Sequence, residues 1–335
     1  TLTVTEKGYR HEPATGRLRA GDPEVTADAG GRAPTTVVGQ LVRGLQRRRR
    51  AGAGPLAVVS CDNLPGNGRT LGRLVQDFVA LLPAAERDGL GEWIAERVAF
   101  PSTMVDRIVP ATTDADRAEA AALLGVEDRA VVAAEPFRQW VIEDDFPAGR
   151  PAWEADGAVL TGDVTPYENM KLRLLNGSHS ALAYLGSLAG HAYMADAVRA
   201  DGFEAFIRAL MDRDVTPTLQ VPAGFDLAGY KEDLLGRFAN RALGHRTDQV
   251  AMDGSQKLPQ RLFGVIRQRL SAGVEPRAAV LVVAAWMRYV SAGRSDDGRV
   301  LPLDDPLADR LRSAVGSATA AGAVVAALLG VSEMF

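Results

Sequence analysis

The feature that most constrains the fold of this chain is a change of texture near residue 160. Before it, short apolar β-branched runs alternate with stretches whose apolar residues recur at helical spacing, the pattern of a parallel sheet covered by helices. Residues 2–4, 56–61, 97–100 and 130–134 read as strands, and 36–50, 70–82 and 114–124 as the helices among them. Val37, Val38, Leu41, Val42 and Leu45, for example, fall on one face of 36–50. After a segment rich in Pro, Gly and Asp (144–166) the strand signal ends. Helical patterns then follow at 167–189, 191–198, 202–213, 226–238, 256–272, 277–292 and 305–329. The chain therefore reads as α/β followed by all-α, with residues 1–160 forming the parallel-sheet domain and 161–335 a mostly helical one. Its 335 residues suit two domains.

Charge and cysteine content narrow the function classes. A net charge of -4 gives no overall positive field for a polyphosphate, which argues against a nucleic-acid partner. The run Arg47 to Arg50 reads as a solvated helix end, where cations complement the macrodipole, ahead of a binding patch. The single cysteine, Cys61, can form no internal disulfide, and His11, His179, His191 and His245 are too dispersed for a metal cluster. A reducing cytoplasm and no metal are expected. The most apolar stretch, 315–331, is mostly Ala and Gly and too short to span a bilayer, so no membrane partner is expected either. What remains is small-molecule work. The opening Thr1-Leu-Thr-Val-Thr alternates like a strand already in progress, so the chain is expected to begin inside a larger protein.

The segment with most chemistry is Lys171-Leu-Arg-Leu-Leu-Asn176-Gly-Ser-His179. On a regular α-helix Lys171, His179 and Asn176 project at roughly 0°, 80° and 140°, sharing one broad face, with Leu175 and Leu182 beside Lys171. A lysine held against apolar neighbours is pushed toward its neutral form and can act as a general base, with an amide and an imidazole to hold an oxygen. The four lysines (Lys7, Lys171, Lys231, Lys257) stand against many arginines, so a retained lysine suggests a role that a permanently charged guanidinium cannot fill. The plainer alternative stays open: Lys171 snorkelling from an amphipathic helix, Asn176-Gly177 as a kink and His179 as a satisfied interior histidine.

Further segments carry a resemblance. The Lys-x4-Asn-x2-His spacing, 3–9 (TVTEKGY), 60–63 (SCDN) with Asn67-Gly68, 101–108 (PSTMVDRI), 135–144 (EPFRQWVIED) and 252–261 (MDGSQKLPQR) are together similar to the polyol-specific long-chain dehydrogenases. This family includes mannitol dehydrogenases and uronate reductases, and the likeness covers nearly the whole chain in order. It implies a partial Rossmann-type parallel-sheet domain followed by a mostly helical domain, with the active site between them. It implies that Lys171 is the general acid/base, that Asn176 and Asn67 are the amide pair holding the substrate oxygen, and that His179 orients that oxygen. Asp106 matches an acid near the site. The cofactor implied is NAD, with NADP open, and the mechanism is zinc-independent.

The resemblance also sets expectations about what is absent. The family's Gly-rich phosphate turn should precede Thr1, so the chain is expected to lack the N-terminal part of the Rossmann domain. The glycines Gly66, Gly68 and Gly72 do not replace it, because Asp62-Asn-Leu-Pro65 makes too long a loop for the tight first turn. Asp62 and Asn63 lie past a strand's carboxyl end, where α/β sheets place ligands, and read either as cofactor contacts or as a turn cap.

Substrate choice turns on a cation near the substrate tail, since uronates end in a carboxylate and polyols in a hydroxymethyl. The candidates are Lys257, Arg246, His245 and Arg173. Segments 135–144 and 252–261 resemble the uronate-reductase branch, which implies fructuronate and mannonate as substrates. The alternatives are a mannitol or other sugar-alcohol 2-dehydrogenase, and a truncated, inert fragment or interaction module. A monomer or weak oligomer is implied.

Overall fold

The computed structural model describes residues 1–12 and 15–334. The chain forms two compact units that interleave in sequence: residues 1–107 with 137–168, and residues 108–136 with 169–335.

In the first unit, Leu56–Ala57 pairs in parallel with Val98–Ala99, and Leu2 adds a parallel bridge to Ser60. Helix Val37–Arg50 is opened by Thr36, whose side chain accepts the Gly39 N–H, and it ends in the four arginines. Two of these bind backbone carbonyls beyond the helix end: Arg48 Nε donates to Gly54 and Arg49 Nη1 to Asp88. Helix Asn67–Leu81 buries Leu71, Leu74, Val75 and Phe78 against Val38, Val42 and Leu45, with Leu90 and Ile94 closing the same core. A second sheet has Thr103–Asp106 antiparallel to Gln139–Glu143, which is parallel to Val159–Thr161. This is a Rossmann-like part with parallel pairing, as expected for the fold class.

The strand expectations need correction: 56–61 and 97–100 pair only over Leu56–Ala57 and Val98–Ala99, and 2–4 forms a single bridge at Leu2. Residues 130–134 form no strand; Ala130 is capped by Asp128, and just beyond, Glu135 N donates to the Ile108 carbonyl in a loop of the second unit. The second sheet came from segments that the sequence pattern does not mark as strands.

The second unit is helical. Asp114–Leu124 carries a full capping box, Thr113 with Asp116. Residues 165–188 form one long helix, and helix Arg277–Ala292, with Trp286 and Tyr289 buried, packs against its C-terminal half. Tyr184 meets Tyr289 edge-on at 5.5 Å. The expected helix at 305–329 is instead two, Ala308–Val315 and Ala321–Leu329. Gly316 breaks it at φ 51, ψ -124, a conformation that only glycine adopts readily. No helix among the described residues is long and apolar enough to cross a membrane.

Candidate active site

The second unit carries the lysine segment, and its helix is not regular there. Residues Lys171–Asn176 form a π turn between α-helices Thr165–Met170 and Gly177–Leu188. The wider turn rotates Lys171 relative to Asn176 and His179, so the regular 100° phase read from the sequence does not hold across it. Such bulges are frequent at functional sites. Lys171, Asn176 and His179 are buried, at 8%, 7% and 8% exposure. The turn packs against a second π turn, Pro259–Phe263, with Leu262 close beside Gly177.

His179 sits between two rings, with the Phe238 centroid at 4.8 Å and the His245 ring edge-on at 5.3 Å. Burial pushes its pKa well below 6.5, and His245, Arg261, Arg237 and Lys257 push it further the same way. It is therefore a neutral imidazole at pH 7. His245 is also lowered by burial, with Glu135 opposing and Lys257 assisting. One nitrogen of a neutral imidazole donates and the other accepts, which is what holding a substrate hydroxyl or carbonyl oxygen requires.

Around this pair the charges are arranged by the family-like motif at 252–261. Asp253 has φ 56, and Gly254 follows because a Cβ there would lie 2.5 Å from Tyr184 Oη and 2.6 Å from Trp286 Nε1. Ser255 binds Asp305 through its N–H at 2.8 Å and its hydroxyl at 2.6 Å. The short helix so fixed presents Lys257, 3.9 Å from Asp253, and then Arg261, which donates to Ser180 Oγ at 3.0 Å and to the Asn176 carbonyl at 3.3 Å. Arg237 and Glu135 form a buried two-point ion pair, and Glu135 also accepts the Ile108 N–H at 2.6 Å. The arrangement gathers Asn176, His179, His245 and Lys257. It does not add Arg246, whose guanidinium is bound by Asp248 and lies 6.0 Å over the Tyr193 ring, nor Arg173, which donates to the Thr218 carbonyl and Gln268.

The first unit holds the other expected residues. Asn67 is fully buried, and its amide nitrogen donates to the Ser60, Asp62 and Thr103 carbonyls at 2.9–3.1 Å and to Thr103 Oγ1. Its oxygen accepts from Gly68 N and Thr103 N. With two N–H groups and four protein acceptors, the Asn67 amide ties the loop and the strand end together in this structure. Asp62 is likewise committed, accepting from Val4 N, Thr5 N and Tyr9 Oη, which favours the turn-cap reading over the cofactor one. Asn63 beside it is exposed. The helix starts at Asn67, earlier than expected, and Gly68 serves packing: a Cβ would lie 2.3 Å from the Phe100 carbonyl oxygen. Asp106 is buried at the end of its strand, opposite Gln139. No group of three His, Cys, Asp or Glu suited to a metal occurs among the described residues.

Comparison with known proteins places this geometry. Residues 1–155 match the model of the mannitol dehydrogenase Rossmann domain and residues 163–335 that of the mannitol dehydrogenase C-terminal domain. The chain belongs to the mannitol dehydrogenase family. It is 47% identical to the uncharacterized oxidoreductase YdfI of Escherichia coli and 45% identical to D-mannonate oxidoreductase of that organism, with 100% of the chain aligned to 68% of each. The mannitol 2-dehydrogenase of Pseudomonas fluorescens, solved as a ternary complex with NAD and D-mannitol, superposes with a TM-score of 0.83 at 41% identity, over 100% of this chain and 66% of that one. The Rossmann-domain match runs from residue 1 to residue 155. The chain spans about two thirds of the length of these mannitol dehydrogenase relatives.

In this member of the mannitol dehydrogenase family, the sequence pattern does not mark three charged residues that lie around His179 and His245. Glu135 and Arg237 lie 102 positions apart, and no local pattern announces their pairing. Arg261 did leave a signal, a single cation within the apolar sequence Leu258-Pro-Gln-Arg-Leu-Phe263.

Proposed function

We propose that this chain supplies the substrate-holding and proton-transfer machinery of an NAD(P)-dependent, zinc-independent oxidoreductase that interconverts fructuronate and mannonate. In this reading residues 1–160 form the cofactor side and residues 161–335 the catalytic side. The observation that carries it is the burial of Lys171 and Asn176 in one π turn and of His179 on the helix that follows it, with His179 held neutral. The trio can move a proton and hold an oxygen but contains no redox group, so the fit is to chemistry in which the hydride partner comes from outside. NAD, when bound, supplies that partner.

Burial favours the uncharged form of an amine, the form that takes a proton. Lys171 then removes the proton from the substrate hydroxyl as the carbonyl forms, and returns it in the reverse direction. The Asn176 amide and the neutral His179 donate to the oxygen while it carries alkoxide character, a charge best stabilised by preorganised donors in a dry site. His245 and Lys257 complete the proposed substrate surroundings in the second unit, and Asp106 is proposed to contribute from the first. The similarity to D-mannonate oxidoreductase supports the acid substrate. A second reading, a mannitol or other sugar-alcohol 2-dehydrogenase, is favoured by the relative solved with D-mannitol.

The test is the initial rate of NADH oxidation with fructuronate and with fructose. A clear preference for fructuronate supports the first reading, a preference for fructose the second, and no NADH oxidation with either contradicts both.

A further inference from the structure

Of the cations whose charge reaches His179, Arg237 is neutralised by Glu135 through contacts of 2.7–3.1 Å, and Lys257 faces Asp253 at 3.9 Å. Arg261 is different. Its hydrogen-bond partners are the Ser180 hydroxyl and the Asn176 carbonyl, both neutral, and no carboxylate among the described residues bonds to it. Asp253, whose charge it feels, is 46% exposed and nearer to Lys257. Burial brings the guanidinium down to about 10.

Arg261 is half-buried, and a partly desolvated cation held by neutral oxygens alone is electrostatically incomplete, because dipoles only partly offset the loss of water. The arginine is nonetheless built in. Its turn is seated against Gly177, and its bonds fix it to the helix that carries Asn176 and His179. Asn176 and Ser180 are four residues apart, ~6 Å along the axis, so an anion on Arg261 lies within the span of a short sugar chain from the reacting oxygen. A guanidinium offers two parallel N–H groups that match a carboxylate.

We infer that Arg261 is the anchor for the carboxylate of an acidic sugar substrate, the ligand bringing the counter-ion that the protein does not supply. This inference rests on the site reading above and deepens it by naming the residue that selects acids over neutral polyols. The candidates drawn from sequence did not include it.

The experiment is calorimetric titration of the chain with D-mannonate, its neutral amide D-mannonamide and D-mannitol, for wild type, Arg261→Met and Arg261→Lys. Wild type is expected to bind mannonate more tightly than the amide or mannitol. Arg261→Met should lose roughly tenfold or more in mannonate affinity, the cost of removing one partner of a half-buried charge pair, with mannitol affinity little changed. Arg261→Lys should retain part of the preference. Equal loss for mannonate and mannitol, unchanged mannonate affinity in Arg261→Met, or a wild type indifferent to amidation would overturn the inference. The amide comparison needs no mutation, so it decides the matter even if Arg261→Met does not fold. NAD-coupled turnover read on the same samples separates the two claims. Mannonate-selective binding without turnover contradicts the oxidoreductase reading and leaves the anchor standing, whereas turnover without acid preference does the reverse.

Discussion

The His245 ring meets the His179 ring edge-on at 5.3 Å, and both imidazoles are lowered below 6.5, burial being the largest cause for each. The unfolded chain takes up protons on these groups near 6.5, whereas the folded chain does so only at lower pH. Stability from this source is therefore complete above about 6.5 and declines as pH falls below it toward the folded values. Urea midpoints between pH 7.5 and 5.5 should fall in wild type and fall less in His179→Gln. An equal decline in both would show that the histidines do not set this dependence.

Asn67, expected as one of the amides that hold the substrate oxygen, is also a structural tie of the first unit. Its amide has six hydrogen-bond contacts inside the first unit, so Asn67→Ala should destabilise the chain by about 3 kcal/mol in urea unfolding. Gly68→Ala should cost a similar ~3 kcal/mol, since its Cβ has no room beside Phe100 and Pro101. A change under about 1 kcal/mol for Asn67→Ala would contradict this structural role.

The parts legible in sequence were those decided locally. Helix 277–292, the Asp114–Leu124 helix and the Thr36 cap follow from apolar spacing and side chains acting within a turn. The alternation of sheet and helix, and the change of texture near 160, likewise carried the fold class. Features decided by distant partners were not legible. Strand Thr103–Asp106 exists because it finds Gln139–Glu143, while 130–134, with a similar composition to other strands, finds no ladder. The π turn at Lys171–Asn176 is invisible to any reading that assumes 3.6 residues per turn. Lys257 stands in the 252–261 motif, whereas Arg246 reads either as a substrate cation or as a helix-end cap, and the fold gives it to Asp248.

Asp28 offers a test of the first unit's framework. Burial alone would raise its carboxyl, but bonds from the Thr36 N–H and hydroxyl, and from Arg32 and Thr35, outweigh that and hold it at about 2. Being depressed from 3.8, it contributes stability above that pH that is lost as pH falls through about 2. Asp28→Asn should cost about 2 kcal/mol at pH 7 and progressively less in acid. A variant equally destabilised at pH 7 and pH 2 would contradict the charge-based account.

The account's central claim is that Lys171 moves the proton. The most direct measurement is the rate of NAD-dependent mannonate oxidation by wild type and Lys171→Met, with mannonate affinity measured alongside. Removing a general base should slow turnover by about 10²–10⁴-fold while affinity changes far less. A variant turning over within about threefold of wild type would contradict the assignment.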